Sequence, residues 1–178
     1  FIVAFYLPKC YNKSSITKGK AMDKTKYNLF LQILKEELIP AMGCTEPAAI
    51  AYAGAKVKSV LSECGEEPTH ALIEVSGNIV KNVKSVTVPN TCGLKGIEAA
   101  LCAGIALGNH QKELSVLSEI KESDAPIVAK FLENFPVKVK RSCSDEIFEI
   151  AVTLYSKNHS AYIKLIGDHT NITHIKLD

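Results

Sequence analysis

The chain has 178 residues, 47% of them hydrophobic, with 21 basic and 19 acidic side chains and a net charge of +2. That length supports one domain with a sizeable core, and that hydrophobic fraction excludes a disordered chain. The near balance of charge, with no Trp and no basic stripe mixed with aromatics, argues against nucleic acid as a partner.

The opening FIVAFYLPKC is apolar but too short to span a membrane, and it lacks the basic start and small-residue cleavage site of a signal peptide. Residues 1–21 read as an upstream extension or an artefact, with an edge strand as the alternative, and 22–178 as a single α+β domain. From Asp23 to Leu38, Tyr27, Phe30, Leu31, Leu34 and Leu38 recur at helical spacing and predict a first helix that ends near Pro40.

Gly43-Cys44-Thr45-Glu46-Pro47 then predicts a tight corner opening a second helix, about Glu46 to Leu61, with Thr45 as N-cap and Pro47 in the first turn. Cys44 lies just outside the positive end of that helix, where free N–H groups and the dipole favour a thiolate. Such a thiol can attack, ligate a metal or simply be buried. Glu46 either stabilises the helix start or orients a ligand. The helix is rich in Ala and Gly, which predicts burial and backbone-close packing.

Cys64 to Pro68 breaks the chain. Ala71 to Val75 predicts a strand, Gly77-Asn78 a turn, and Ile79 to Val88 a return segment that is partly helical because its alternation is imperfect. Pro89 to Gly96 is a second corner, and Asn90, Thr91 and Gly93 before a helix form either a plain turn or a cradle of N–H groups for an anion such as a carboxylate. Small-faced helical spacing runs on to Leu107, with Gly108 closing it. Helices at Leu114–Ile120 and Ala125–Asn134 follow.

From Pro136 the period changes to two. Val137 and Val139, then Phe148 to Leu154, Ala161 to Leu165 and Ile172 to Leu177 predict an antiparallel meander with one wet face. The expected fold class is therefore α+β, with Ala/Gly-rich helices packed on a mainly antiparallel sheet. The six cysteines form no CxxC pair and read as reduced thiols of a cytoplasmic protein. His70, His110, His159 and His174 show no metal spacing, and Asp145 and Glu146 read as turn residues. Lys56, Lys81 and Lys95 offer no context for pyridoxal phosphate.

Three ordered stretches, GCTEPAAIAYAGA at 43–55, VPNTCGLKGIEAALCAGIALG at 88–108 and IKLIGDHTNITHI at 163–175, resemble the L-cysteine desulfidase family, which is related to the iron–sulfur L-serine dehydratases. The resemblance covers most of the chain from Met22 onward. It implies that Cys44 ligates a 4Fe–4S cluster, with the other ligands in a cysteine-bearing carboxy-terminal domain or subunit. It implies a role near the active site for His169 and glycine around position 92, where this chain has Cys92; beside it, Glu46 reads as orienting a ligand or binding the substrate ammonium, and Asn90, Thr91 and Gly93 as holding the substrate carboxylate.

The activity implied is conversion of L-cysteine to pyruvate, ammonia and sulfide. The alternatives are an L-serine dehydratase-like activity, or a small-molecule binding or oligomerisation domain without catalysis. The family's chains are longer, so the resemblance reads this one as the amino-terminal portion of a truncated or split lyase, inactive by itself. A small amino acid is the expected substrate, homo-oligomerisation is open, and neither nucleic acid nor membrane is expected as a partner.

Overall fold

The computed structural model of the protein describes residues 23–37 and 43–178. Helix α1 (Lys24–Glu37) lies in one unit, residues 1–38, and all other elements lie in a second, residues 39–178. Described by itself, α1 bears out the first predicted helix, and Tyr27, Phe30, Leu31 and Leu34 share one side of it at helical spacing. The reading of residues 1–21 and the helix end near Pro40 fall outside the described residues.

The second unit is α+β, as its sequence pattern predicts. Helix α2 (Thr45–Leu61) runs through its core, buried continuously from Pro47 to Ala55 and again at Val57, Val60 and Leu61. Alanine makes this possible on two counts: it has the highest helix propensity, and its small side chain lets neighbours approach on every side. Helix α4 (Gly96–Leu107) crosses α2 at backbone contact. A Cβ on Gly104 would fall on the Ala51 carbonyl, 2.7 Å from both its carbon and the Ala51 Cα, and one on Gly54 would sit 2.8 Å from the Leu101 carbonyl oxygen.

Gly108 ends α4 as expected, but in extended backbone (φ −68, ψ 138) rather than the left-handed cap common for glycine. Its bare Cα instead admits Ala55, whose Cβ would lie 3.0 Å from an added methyl.

The sheet has strand order β2-β1-β3-β4-β5, from β1 (His70–Val75), β2 (Val137–Arg141), β3 (Glu149–Tyr155), β4 (Ser160–Ile166) and β5 (Ile172–Leu177). Ala71, Ile73 and Val75 face the core beside Leu154, Val152 and Ile150 of β3, which in turn face Ala161, Ile163 and Leu165 of β4. Period-two alternation puts these nine side chains on one face. Helix α2 packs against β3 and β4.

Three predicted elements differ. The return segment after β1, expected to be partly helical, begins as a helix, α3 (Gly77–Val83), that takes in the predicted Gly77-Asn78 turn, and its Ile79 and Val83, four apart, are both buried. Strand β2 pairs with β1 in parallel, Ala71↔Val137 to Val75↔Arg141, so the antiparallel meander is β3–β5 alone. A parallel pair needs a crossover, and here α3, α4 and α5 (Ala125–Asn134) supply it. The helix predicted at Leu114–Ile120 is replaced by a 3-10 turn at His110–Ser115, where Glu113 (φ 48, ψ −120) breaks the helical path and Asn109 accepts from the Gln111 N–H at 3.1 Å. Helix α5 matches its predicted span, with Pro126 in its first turn.

Candidate active site

The corner before α2 is built from its backbone. Gly43 has φ +114, a left-handed conformation that glycine adopts without steric cost, and it turns the chain into Cys44. Cys44, not Thr45, is the N-cap; it is extended (φ −64, ψ 127) and its side chain makes no capping bond. The thiol is exposed and points instead at Glu46, donating to Oε2 at 2.9 Å.

Glu46 collects further donors. Thr45 Oγ1 donates to Oε2 at 3.4 Å, and Asn82 Nδ2, from α3, donates to Oε1 at 3.1 Å. The thiol bond first, then the α2 backbone, Asn82 and a positive charge on His169 hold the Glu46 carboxyl below the usual carboxylate range against partial desolvation. Cys44 responds oppositely. Desolvation at the corner first, then its bond to the Glu46 carboxylate, push the thiol pKa up. The helix end alone would favour a thiolate; desolvation first, and then the acid two residues on, reverse that tendency.

His169 lies in the turn between β4 and β5, half-buried, its ring 4.5 Å from that of Phe148 and tilted by 52°. His169 interacts electrostatically with Glu46. Asn90, Thr91 and Gly93 have their own occupation. Asn90 Nδ2 donates to the Leu117 carbonyl at 3.0 Å, and the buried Thr91 hydroxyl to the Val88 carbonyl at 2.8 Å. Asn90 (φ 61), Cys92 (φ 53) and Gly93 (φ 95) all take left-handed backbone, so Cys92 stands where glycine would be at ease. Among the described residues no hydrogen bond or ion pair joins this loop to Glu46.

Asn82 is the member of the corner that sequence reasoning missed. Its only signal is helical spacing with Asn78, in a segment whose valines suggest a strand. Among the described residues no three His, Cys, Asp or Glu side chains group as metal ligands. A four-iron cluster takes a set of thiolates, and this corner supplies one thiol, Cys44, so it cannot hold a cluster without donors from elsewhere.

No family model matches the chain. Curated relatives do. It is 46% identical over 150 residues to a UPF0597 protein of Desulfitobacterium hafniense, covering 84% of this chain and 34% of the relative. It is 41% identical over 156 residues to a UPF0597 protein of Treponema denticola, covering 88% and 36%, and 41% over 152 residues to one of Lachnoclostridium phytofermentans, covering 85% and 36%. The chain is similar to UPF0597 proteins. It spans about a third of the length of these relatives. The assignment to the L-cysteine desulfidase family is thereby corrected: these relatives carry the UPF0597 name, which states no activity, and none of the three carries a desulfidase name.

Proposed function

We propose that the Cys44–Glu46 corner is the proton-handling part of a lyase active site for a small amino acid, L-cysteine foremost and L-serine as the alternative, in a protein longer than this chain. The observation that carries the reading is the exposed Cys44 thiol 2.9 Å from a Glu46 carboxylate that Asn82 orients. A base that must stay ionised near neutral pH and an adjacent group that holds a proton are what elimination requires. Loss of the α proton and of the β substituent turns L-cysteine into sulfide and an enamine, and water converts its imine tautomer to pyruvate and ammonia.

In this reading Glu46 receives the α proton and Cys44 holds a proton within its reach, with His169 as a neighbouring group. Were a further cysteine-bearing domain or subunit to supply the other donors of a 4Fe–4S cluster, Cys44 would hold it as a thiolate in place of its proton-holding role, and no step here depends on that. The compartment proposed is the cytoplasm, where the free thiols Cys44, Cys64, Cys92, Cys102 and Cys143 stay reduced. The test is release of sulfide and pyruvate from L-cysteine by the longer protein, purified without oxygen. Turnover is expected in the native protein and at least a hundredfold less with Cys44→Ala. A Cys44→Ala protein with native turnover would remove the corner from the chemistry, and binding of L-cysteine without products would favour a non-catalytic binding domain.

A further inference from the structure

An open cavity of about 590 Å³ is lined by Gly77, Asn78 and Lys81 of α3, Arg141 at the end of β2, and the loop through Asp145 and Glu146 to Ile147. Helix α3 links it to the Glu46 cluster. Asn78 lines it, and Asn82, one helical turn on, donates to Glu46, side chains so spaced lying about 5–6 Å apart. Ile147 lines it, and the next residue, Phe148, carries the His169 ring.

The walls are held. Arg141 pairs with Val75 in the parallel ladder, the next N–H, of Ser142, donates to the Val75 carbonyl at 2.8 Å, and the guanidinium lies against Gly77, where an added Cβ would meet Nε at 3.3 Å and Cζ at 3.4 Å. The acidic loop is anchored from below by buried Glu149, which accepts from the Ser142 hydroxyl at 2.7 Å and from the Ser144 hydroxyl and pairs with Lys164 at 2.8 Å. Ser76 donates to the Ile147 carbonyl at 2.7 Å.

Among the described residues neither Lys81 nor Arg141 has a carboxylate partner, and Asp145 has no cation. Two cations and two acids line one cavity with no ion pair among them, Glu146 also interacting with Lys164, and such a set matches a ligand that carries both charges. We propose that the cavity binds the zwitterionic end of an α-amino acid, with Arg141 and Lys81 on the carboxylate and Asp145 and Glu146 on the ammonium. The proposal rests on the lyase reading for its ligand class and assigns that reading its substrate-anchoring residues. A planar guanidinium suits a carboxylate because two parallel N–H bonds fix it in orientation as well as in place.

The test is equilibrium binding of L-alanine, which has no β leaving group, to the 178-residue chain, followed by backbone amide chemical shifts. Saturable shifts are expected in residues 77–81 and 141–147, with affinity at least tenfold weaker in Arg141→Met and partly kept in Arg141→Lys, while ethylamine, lacking the carboxylate, gives none. If Arg141→Met loses amide dispersion outside the cavity, Lys81→Met on α3 reads the same loss. Shifts confined elsewhere, equal affinity in both variants, or no saturable shift would each overturn the proposal. None of those results touches the lyase reading, which stands or falls on product release and Cys44→Ala.

Discussion

Glu46 is the residue on which the corner turns. Its carboxylate accepts from the Cys44 thiol and from Asn82, and it raises the very pKa that its neighbouring helix end would lower. Replacing it by glutamine removes the negative charge while keeping an acceptor, so the thiolate loses its like-charged neighbour and the Cys44 pKa falls. At pH 8, below the ordinary thiol value of 9.0, the thiolate fraction of Glu46→Gln then exceeds that of the native chain. Alkylation of Cys44, followed by peptide mass spectrometry, is expected to run about three to ten times faster in the variant, since reactivity follows the thiolate. Equal rates would show that the carboxylate does not govern the thiol. Cys102 is the internal control: burial pushes its pKa up to about 12, and it should react only on unfolding. Cys44 and Glu46 were legible because they stand in one contiguous stretch with a helix start. Asn82 was not, because its partnership with Glu46 spans 36 positions and no local pattern encodes it.

At the scale of elements, two contacts decide how the helices and the hairpin hold. The α2–α4 crossing depends on Gly104, and a methyl there has no space beside Ala51. Gly104→Ala is expected to cost about 1–3 kcal/mol by forcing the helices apart, a fall in thermal midpoint of roughly 2–12 °C for a chain of this size. An unchanged midpoint would mean that the crossing tolerates separation. The second contact ties the turn between β3 and β4 to the segment after α2. Glu66 accepts from the Ser156 hydroxyl at 2.6 Å, the Asn158 side-chain amide at 2.6 Å and the Asn158 N–H at 3.1 Å, with His159 Nδ1 3.3 Å away but not aligned as a hydrogen bond. These bonds, the Ser156 hydroxyl foremost, lower its pKa from 4.5 to about 2. A depressed carboxyl pKa adds stability above the unfolded value and loses it as pH falls through the folded one. Glu66→Gln should therefore melt below the native chain at pH 7, with the gap closing towards pH 2; a gap independent of pH would assign the effect to shape alone. Helices α2, α4 and α5 and strands β3–β5 were legible in residue spacing. The seven residues of α3 are too few to show a helical period clearly, and nothing local tells β2 that its neighbour runs parallel.

Across the whole molecule, a single face of the sheet carries the core while the corner opens at the surface. Ile150, Val152, Leu154 and their partners on β1 and β4 are buried, whereas Thr153, Tyr155, Tyr162 and Lys164 on the opposite face keep partial exposure. Gly43 and Cys44 are exposed at the mouth of the most deeply buried helix. An exposed thiol at an open edge suits a site to which another part of a longer protein contributes, and the curated relatives are about three times the length of the region they share with this chain. Among the described residues no helix is long and apolar enough to cross a membrane. The resemblance of three short stretches suggested a family that the relatives' names do not bear out. The most direct measurement is pyruvate formation from L-cysteine by the longer protein with Glu46 intact and with Glu46→Gln. A fall in kcat of at least a hundredfold, with the fold preserved by circular dichroism, is expected if Glu46 takes the α proton; unchanged turnover in the glutamine variant would contradict that role and with it the lyase account of this corner.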